Sequence, residues 1–381
     1  MILRILFSII LLLLSLLVVF RAPTNLLWRI SVAVTEFPYI FICAALLLLI
    51  LSFGAEKYKY ALILVNGIAL ILYTIPIVKA YQVSSEISEN FTKTFPFKPT
   101  TGQLQPPFSF LKMFTGIETE DVKFTNIVYN NSNEKKLSLD YYPGNSRSES
   151  PCVIVIHGGS WSEGDSKQLP ALNSYLANKG YNVAALNYRL APEFKCPSPV
   201  EDVKYAIKYL TENASALKID TNNFILLGRS AGGQIALLAA YTYNDPNIKG
   251  VITFYAPADM VWGAGIKGNT WVINTDKVLS DYIGGSLNEF PQKYTASSPV
   301  EFIDSSSTPT LIIHGQADVL VAFEHSTRLQ KKLNQYHVKN YLLDLPCATH
   351  GCDYNINGPS GQVTTFTIER FINSVVSKPT I

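Results

Sequence analysis

One serine in the sequence lies in a setting that favours a reactive hydroxyl. Residues 228–233 read Gly-Arg-Ser-Ala-Gly-Gly, directly after a mostly apolar run at 223–227 and before an apolar run of helical length. In this G-x-S-x-G pattern the serine lies on a tight strand-to-helix turn, and small neighbours let backbone and substrate approach closely. The following helix directs its first N–H groups towards developing negative charge. The pattern predicts Ser230 as a nucleophile, with an ordinary turn serine as the alternative.

A serine hydroxyl becomes a good nucleophile when an imidazole accepts its proton, so a histidine is needed. The chain has five. His157 and His314 precede the chain position expected for such a base, and His325 and His337 lie in or just after a polar helix, where a solvated role is favoured. His350 lies in a loop after the last predicted strand and before the final helix. We therefore predict His350 as the base.

The third member should be a carboxylate in a loop after a strand, where it fixes the imidazole and stabilises its cation. Asp318 follows the predicted strand 310–313 and fits this description. Glu324 and Asp344 are the alternatives, but Glu324 opens a predicted helix and Asp344 lies inside a predicted strand. The chain order Ser, Asp, His is that of the α/β-hydrolases, not of the chymotrypsin or subtilisin types.

A tetrahedral intermediate also needs hydrogen-bond donors for its negatively charged oxygen. Residues 157–161 read His-Gly-Gly-Ser-Trp and follow the predicted strand 152–156. We predict that the N–H groups of Gly158, Gly159 and Ala231 form this oxyanion hole. A simple Gly-Gly turn is the alternative.

These residues must be positioned by the elements between them. From residue 122 onward, β-rich runs alternate with amphipathic runs, a pattern typical of a mainly parallel sheet covered by helices. Residues 257–299 form a longer piece without clear periodicity, which we interpret as a cap-like insertion over the site. The predicted strands are 123–129, 137–142, 152–156, 182–187, 223–227, 249–254, 310–313 and 339–345, and the predicted helices are 167–178, 200–213, 233–243, 324–334 and 361–376.

Four motifs in this order resemble the esterase and lipase branch of the α/β-hydrolases related to hormone-sensitive lipase, including its carbohydrate-ester and prenylcysteine-methylesterase-like members. They are residues 157–159, 187–193 and 228–233, and the surroundings of Asp318 and His350. The resemblance covers about residues 122–376 and implies an α/β-hydrolase fold with an eight-stranded sheet and helices on both faces. It also implies a structural role for residues 188–193 and 201–202, in which Arg189 and Asp202 form a buried ion pair; two ordinary exposed charges are the alternative. Arg229 departs from the family, since many relatives carry Asp before the nucleophile.

The first eighty residues have a different composition. Uncharged apolar stretches cover 5–20, 37–55 and 60–78, and the last two have 19 residues each. At ~1.5 Å per residue such a helix reaches about 28 Å, enough to cross a bilayer. We predict three transmembrane helices in residues 1–80, with a cleaved signal peptide as the alternative for the first. A proline-containing linker at 81–120 would join them to a catalytic domain at 121–381.

The charge pattern excludes one class of partner. Of the 31 basic and 29 acidic residues, six basic and two acidic lie in the first eighty, so the remainder is slightly acidic. Without a basic cluster, nucleic-acid binding is not expected. The basic residues that flank the apolar stretches favour a multi-pass protein with a cytoplasmic catalytic domain by a narrow margin. Cys347 and Cys352 flank His350 and either pair or remain free thiols.

Together these features predict a membrane-anchored serine hydrolase that cleaves small-molecule or lipid carboxylic esters through an acyl-serine intermediate, without metal or cofactor. An acyltransferase or deacylase acting on a lipid or glycan at the membrane is one alternative. Trp262, Trp271 and Tyr282 in the insertion would then line an acyl pocket or pack in the core. A hydrolase-like binding or scaffold protein is the non-enzymatic alternative.

Overall fold

The computed structural model describes residues 1–376 except residues 56, 97–105, 118, 132–134 and 147. Its strands form one eight-stranded sheet in the order β1-β2-β4-β3-β5-β6-β7-β8, in which β2 is antiparallel to β1 and β4 and the other neighbours are parallel. The strands are β1 Thr125–Asn131, β2 Lys136–Tyr142, β3 Ser150–Ile156, β4 Asn182–Leu186, β5 Ile219–Arg229, β6 Ile248–Phe254, β7 Thr310–Gly315 and β8 Asn340–Leu345. The predicted eight-stranded, mainly parallel sheet is confirmed.

The α-helices divide into an N-terminal group and a group that covers the sheet. The first group is α1 Ile2–Ser15, α2 Asn25–Glu36, α3 Pro38–Phe53, α4 Lys59–Glu86, α5 Thr92–Thr94 and α6 Lys112–Thr115. The second group is α7 Pro170–Asn178, α8 Ser198–Glu212, α9 Ala214–Leu217, α10 Ala231–Thr242, α11 Met260–Ala264, α12 Thr275–Ile283, α13 Pro291–Ala296, α14 Glu324–Gln335 and α15 Pro359–Val375.

The middle of the sheet is buried on both faces. Residues 152–156 of β3 and 224–227 of β5 are buried apolar runs, which suit the crowded interior of a parallel sheet. Adjacent side chains of β3 belong to different cores: Ile154 lies in the core that includes residues of α8, α10 and α14, whereas Val153 and Val155 lie in the core that includes residues of α7 and α15. The two helical layers therefore fix the carboxyl ends of β5, β7 and β8 relative to one another.

The predicted insertion at 257–299 lies between β6 and β7 and contains the short helices α11, α12 and α13. Two of them have side-chain caps: Asp259 accepts the N–H of Trp262, and Asn274 accepts the N–H of Lys277. Such caps satisfy N–H groups that a helix start leaves unpaired, so helices this short can form without a strong periodic pattern.

Helices α1, α3 and α4 pack as a bundle with polar contacts inside. Asn66 of α4 donates to Ser8 Oγ of α1 (3.0 Å) and to Ser52 Oγ of α3 (3.2 Å). Inter-helix hydrogen bonds of this kind are typical of helices that associate in an apolar medium. The outer faces carry exposed apolar side chains, among them Ile50, Leu64 and Ile71.

Only part of the predicted membrane region is supported. Within the described residues, one continuous helix, Lys59–Thr94 with 36 residues, is long and apolar enough to cross a membrane. α2 and α3 meet that test only together, as a pair bent by 83°, and the first helical segment, Ile2–Val18, is shorter. The prediction of three transmembrane helices is therefore not confirmed for residues 5–20 and 37–55.

The predicted irregular linker at 81–120 is wrong for residues 81–94. α4 continues to Glu86, and a π-helical segment, Ile87–Phe91, and α5 extend the helix to Thr94. The helix persists because its end is buried: Phe91 contacts Tyr341 of β8 and Phe95 contacts Phe371 of α15, with ring centroids 5.2 and 5.1 Å apart. The stretch 97–105 of the predicted linker lies outside the described residues.

Candidate active site

Ser230 lies on the turn between β5 and α10. Its backbone has φ 53° and ψ −120°, a conformation that costs free energy for a residue with a side chain and persists where the surroundings enforce it. Gly232 allows the close packing beneath this turn, because a Cβ there would lie 2.3 Å from the carbonyl oxygen of Ile156. The turn holds the hydroxyl at the carboxyl edge of the sheet.

The three predicted catalytic side chains form one hydrogen-bonded series. The Ser230 hydroxyl donates to His350 Nε2 at 3.0 Å, and His350 Nδ1–H donates to Asp318 Oδ2 at 2.7 Å. They follow the carboxyl ends of β5, β8 and β7, which lie at the same edge of the sheet. In this geometry an imidazole can take the serine proton while the carboxylate stabilises the resulting cation.

Asp318 is buried and held by several donors. Its Oδ1 accepts the N–H groups of Leu320 (2.8 Å) and Val321 (3.0 Å), and its Oδ2 also accepts His314 Nε2–H at 3.2 Å. Burial alone would raise the pKa of Asp318, but the charge of His350 and the hydrogen bonds from both histidines hold that pKa well below its ordinary value. The carboxylate therefore stays ionised at neutral pH.

His314 is a supporting residue that the sequence argument missed. It is fully buried at the end of β7, four residues before Asp318, and its Nδ1 accepts the Ser326 hydroxyl at 2.6 Å. This bond fixes the ring so that Nε2–H faces the carboxylate. The signal in the sequence was a histidine at the end of the strand that leads to the predicted acid.

The two alternative carboxylates lie apart from this series. Glu324 is exposed in the first turn of α14. Asp344 of β8 accepts the side-chain N–H of Gln316 at 2.7 Å. The described geometry therefore brings Asp318, and neither alternative, to His350.

The amides predicted to form the oxyanion hole differ in their hydrogen bonds. The N–H of Gly158 donates to Gln168 Oε1 at 2.8 Å, so Gly158 differs from the prediction because its donor is already used. Among the described residues, no acceptor contacts the N–H groups of Gly159, Ser160 or Ala231. Ser160 and Ala231 both line the cavity at Ser230. These three amides are therefore the available donors.

Close packing explains why residue 158 is a glycine. A Cβ there would lie 3.0 Å from the carbonyl oxygen of Arg229 and 3.2 Å from Ser230 Cβ, closer than ordinary contacts. Ser160 and Trp161 after the glycines both adopt positive φ, at 52° and 59°. Two successive strained residues show that tertiary contacts dictate the shape of this loop.

Arg229, the residue that departs from the family pattern, is buried beneath the nucleophile. Its Nε pairs with Asp353, which also accepts the Tyr255 hydroxyl at 2.6 Å. The Tyr255 ring contacts the imidazole of His350 with centroids 4.1 Å apart. This pair thus links the strand before Ser230 to the loop that carries His350.

A cavity of about 420 Å³ opens beside Ser230, within the ~300–1,000 Å³ range of small-molecule sites. The insertion contributes apolar lining such as Met260, Val272 and Leu279, and the loop after Asp318 contributes Leu320. The chain segment 21–23, between α1 and α2, closes another side. The lining therefore comes from five separate parts of the chain, within residues 21–23, 160–161, 230–231, 257–279 and 318–325.

Helix α2 also contacts the loop of His350. Trp28 Nε1–H of α2 donates to the carbonyl oxygen of His350 at 2.9 Å. Arg21, in the segment before α2, donates through Nη2 to the carbonyl oxygen of Gln316, in the loop that carries Asp318, at 3.0 Å. At the other end of α2, the carbonyl oxygen of Glu36 accepts Asn355 Nδ2–H at 2.8 Å. The N-terminal region is thus part of the surroundings of the site, outside the part covered by the resemblance.

A family model matches residues 139–333 of this chain, slightly more than half of its length, and its description is BD-FAE. The chain belongs to the BD-FAE family. The matched part includes Ser230 and Asp318 and ends before His350. The α2 contacts described above lie outside the family match.

This BD-FAE member is similar to Esterase LipC of Mycobacterium tuberculosis, with 27% identity over 59% of this chain and 58% of that protein. It is also similar to the isoprenylcysteine alpha-carbonyl methylesterase ICME of Arabidopsis thaliana, with 25% identity over 59% of this chain and 56% of that one. Each alignment thus spans little more than half of the relative. A bacterial heroin esterase structure covers 70% of this chain and 88% of its own, with TM-score 0.58 and 21% identity. The predicted α/β-hydrolase fold and its esterase and lipase branch are confirmed.

Other predicted residues of this BD-FAE chain have mixed outcomes. Arg189 and Asp202 form the buried ion pair, with Nε to Oδ1 at 2.9 Å, and Cys347 and Cys352 are free thiols. His325, predicted to be solvated, is buried and lines the cavity, because α14 packs that face against the insertion.

The three insertion aromatics are absent from the described cavity lining. Tyr282 is fully buried and stacks on Trp161 with centroids 4.2 Å apart, whereas Trp271 is 77% exposed. Trp262 packs edge-on against the ring of His325. Tyr282 therefore packs in the core, and none of the three aromatic residues lines the cavity as an acyl pocket would require. Among the described residues, no group of three or more His, Cys, Asp or Glu side chains is placed to hold a metal ion.

Proposed function

We propose that this protein is a membrane-bound serine hydrolase that cleaves carboxylic esters. The observation that carries the proposal is the contact of 3.0 Å between Ser230 Oγ and His350 Nε2, in series with the buried Asp318. Relatives of this BD-FAE chain carry names such as Esterase LipC and Probable carboxylic ester hydrolase LipM, which supports the same reaction class.

The first half-reaction forms an acyl-enzyme. Ser230 Oγ attacks the ester carbonyl carbon while its proton moves to His350 Nε2, and the carbonyl oxygen becomes negatively charged. The amides of Gly159, Ser160 and Ala231 stabilise that oxygen; loss of one such donor typically costs ~10²–10³ in turnover. The C–O bond to the alcohol then breaks, and the alcohol leaves with the proton from His350.

The second half-reaction releases the acid. Water gives a proton to His350 Nε2 and its oxygen attacks the acyl carbon, which again places negative charge between the same amides. The bond to Ser230 breaks and the serine regains its proton from His350. Asp318 stays ionised through both halves, since its pKa lies well below its ordinary value.

The N-terminal helices attach the enzyme to a bilayer. The long helix Lys59–Thr94, the bent pair α2–α3 and the exposed apolar faces of the bundle support attachment, since large exposed apolar patches mark membrane contacts. We retain a multi-pass arrangement with a cytoplasmic catalytic domain as part of this proposal.

The test is labelling of the full-length protein with a fluorophosphonate. Ser230→Ala should abolish labelling and lower turnover of a p-nitrophenyl ester by ~10⁶. Ser305→Ala, which changes an exposed serine far along the chain from the motif, should label like the wild type. Labelling that persists in Ser230→Ala would reject the proposal.

A further inference from the structure

Two basic side chains lie on the lining of the cavity that contains Ser230. They are Arg21, from the segment between α1 and α2, and Lys267, from the insertion, and both are exposed. Among the described lining residues, the acidic side chain is Asp318, which is buried and bound to His350 and His314. The open part of the cavity is therefore positively charged.

Hydrogen bonds join the two segments that carry these cations. Asn269 Nδ2–H donates to the carbonyl oxygen of Pro23 at 2.9 Å, and Asn25 donates through its backbone N–H to Trp271 O at 3.0 Å. Asn25 Nδ2–H also donates to Val272 O at 3.1 Å. Arg21 lies two residues before Pro23 and Lys267 lies two residues before Asn269, so the bond between Asn269 and Pro23 brings both cations to the same rim of the cavity.

This rim adjoins the apolar N-terminal region. The first helical segment ends at Val18, and Val19 and Phe20 are 51% and 64% exposed immediately before Arg21. In a bilayer, exposed apolar residues followed by Arg place that point at the boundary between hydrocarbon and headgroups. In the membrane-bound form proposed above, the entrance of the cavity would therefore lie at the level of the lipid headgroups.

We propose that Arg21 and Lys267 bind the phosphate of a single-chain lipid ester, whose acyl chain occupies the apolar cavity lining. This inference rests on the proposed function and names its substrate class. Ser230 takes up the acyl group, the ester C–O bond breaks, and the glycerol phosphate leaves with a proton; water then releases the fatty acid. Cations at the rim and apolar walls inside match a substrate with an anionic head and an apolar tail.

The experiment compares two substrates that differ by the phosphate alone: 1-dodecanoylglycerol 3-phosphate and 1-dodecanoylglycerol, in the same mixed micelles with full-length enzyme. We expect the wild type to have the higher kcat/KM on the phosphate ester. Arg21→Gln with Lys267→Gln should lower the ratio of the two kcat/KM values by about tenfold. Arg21→Lys should retain most of the preference, and raised salt should reduce it in the wild type.

Lys331→Gln is the matched control, since Lys331 is an exposed lysine of α14 outside the cavity lining. Its ratio should equal that of the wild type. Three results would overturn the inference. The double variant could have the same kcat/KM ratio as the wild type, the control could lose as much of that ratio as the double variant, or the wild type could show no preference for the phosphate ester. A wild type that reacts with the fluorophosphonate but hydrolyses neither lipid overturns this substrate class alone, whereas one that neither reacts nor hydrolyses overturns the proposed function.

Discussion

Asp318 differs from every other carboxylate near the site in the number of donors that surround it. Two backbone N–H groups and two histidines bind its oxygens, so it is held in one orientation and stays charged. A carboxylate fixed in this way selects the imidazole tautomer that leaves Nε2 free to accept the serine proton.

We expect Asp318→Asn to lower kcat by about 10⁴, because an amide favours the wrong tautomer and cannot stabilise imidazolium. Steady-state kinetics on a p-nitrophenyl ester would measure the change. Glu324→Gln and Asp344→Asn are the controls, since their carboxylates do not contact His350. A loss in either control as large as that in Asp318→Asn would contradict the assignment.

At this scale the sequence points to three side chains that the structure brings within hydrogen-bond distance, Ser230, Asp318 and His350, because residue type and chain position were both restrictive. Ser230 had a motif, and the order of Ser230, Asp318 and His350 narrowed the choice of base and acid. Sequence reasoning failed for Gly158, whose amide is used by Gln168 ten residues away, and for His325, which a neighbouring insertion buries. Both outcomes depend on contacts that no local pattern contains.

At the scale of elements, α2 is the unexpected support of the site. It contacts the chain on both sides of the turn after His350, through Trp28 at one end and Glu36 at the other. A short polar loop fixed at two points by a helix loses conformational freedom, which favours a defined position of the imidazole. α2 therefore positions His350 through a hydrogen bond to its carbonyl oxygen and an edge-on ring contact, both from Trp28.

Trp28→Phe tests this role because it keeps an aromatic ring and removes the N–H donor. Loss of one hydrogen bond, worth ~0.5–1.5 kcal/mol, should lower kcat by about threefold to tenfold with little change in KM. Trp271→Phe is the control, since that indole is mostly exposed. Unchanged kcat in Trp28→Phe, or an equal loss in both variants, would contradict a positioning role for α2.

At the scale of the molecule, the N-terminal region and the hydrolase domain share one core. Val83, Ile87, Phe91 and Phe95 are buried against the face of the sheet that α15 covers. Fully burying such a side chain contributes ~1.5–3 kcal/mol, so together they approach the ~5–15 kcal/mol by which domains are usually stable. The predicted boundary near residue 120 is therefore not a boundary in packing.

We expect a variant that begins at residue 106 to aggregate or to melt at least ~10 °C below the full chain, measured by thermal unfolding in the same detergent. A variant that begins at residue 59 retains the α4 contacts and loses α2, so it should fold but hydrolyse esters more slowly. A melting temperature equal to that of the full chain in the variant that begins at residue 106 would contradict the shared core.

The sequence by itself determined the alternation of strands and helices, the nucleophile motif and the order of the predicted triad, because these depend on local periodicity, turn chemistry and residue type. Only the tertiary structure decided how far α4 extends, which amides remain available beside Ser230, and that residues 21–36 complete the site. Those features arise where segments far apart in the chain meet. Their hydrogen bonds and buried surfaces exist only after the sheet and its helices have packed, so the residues concerned carry no local signal of them.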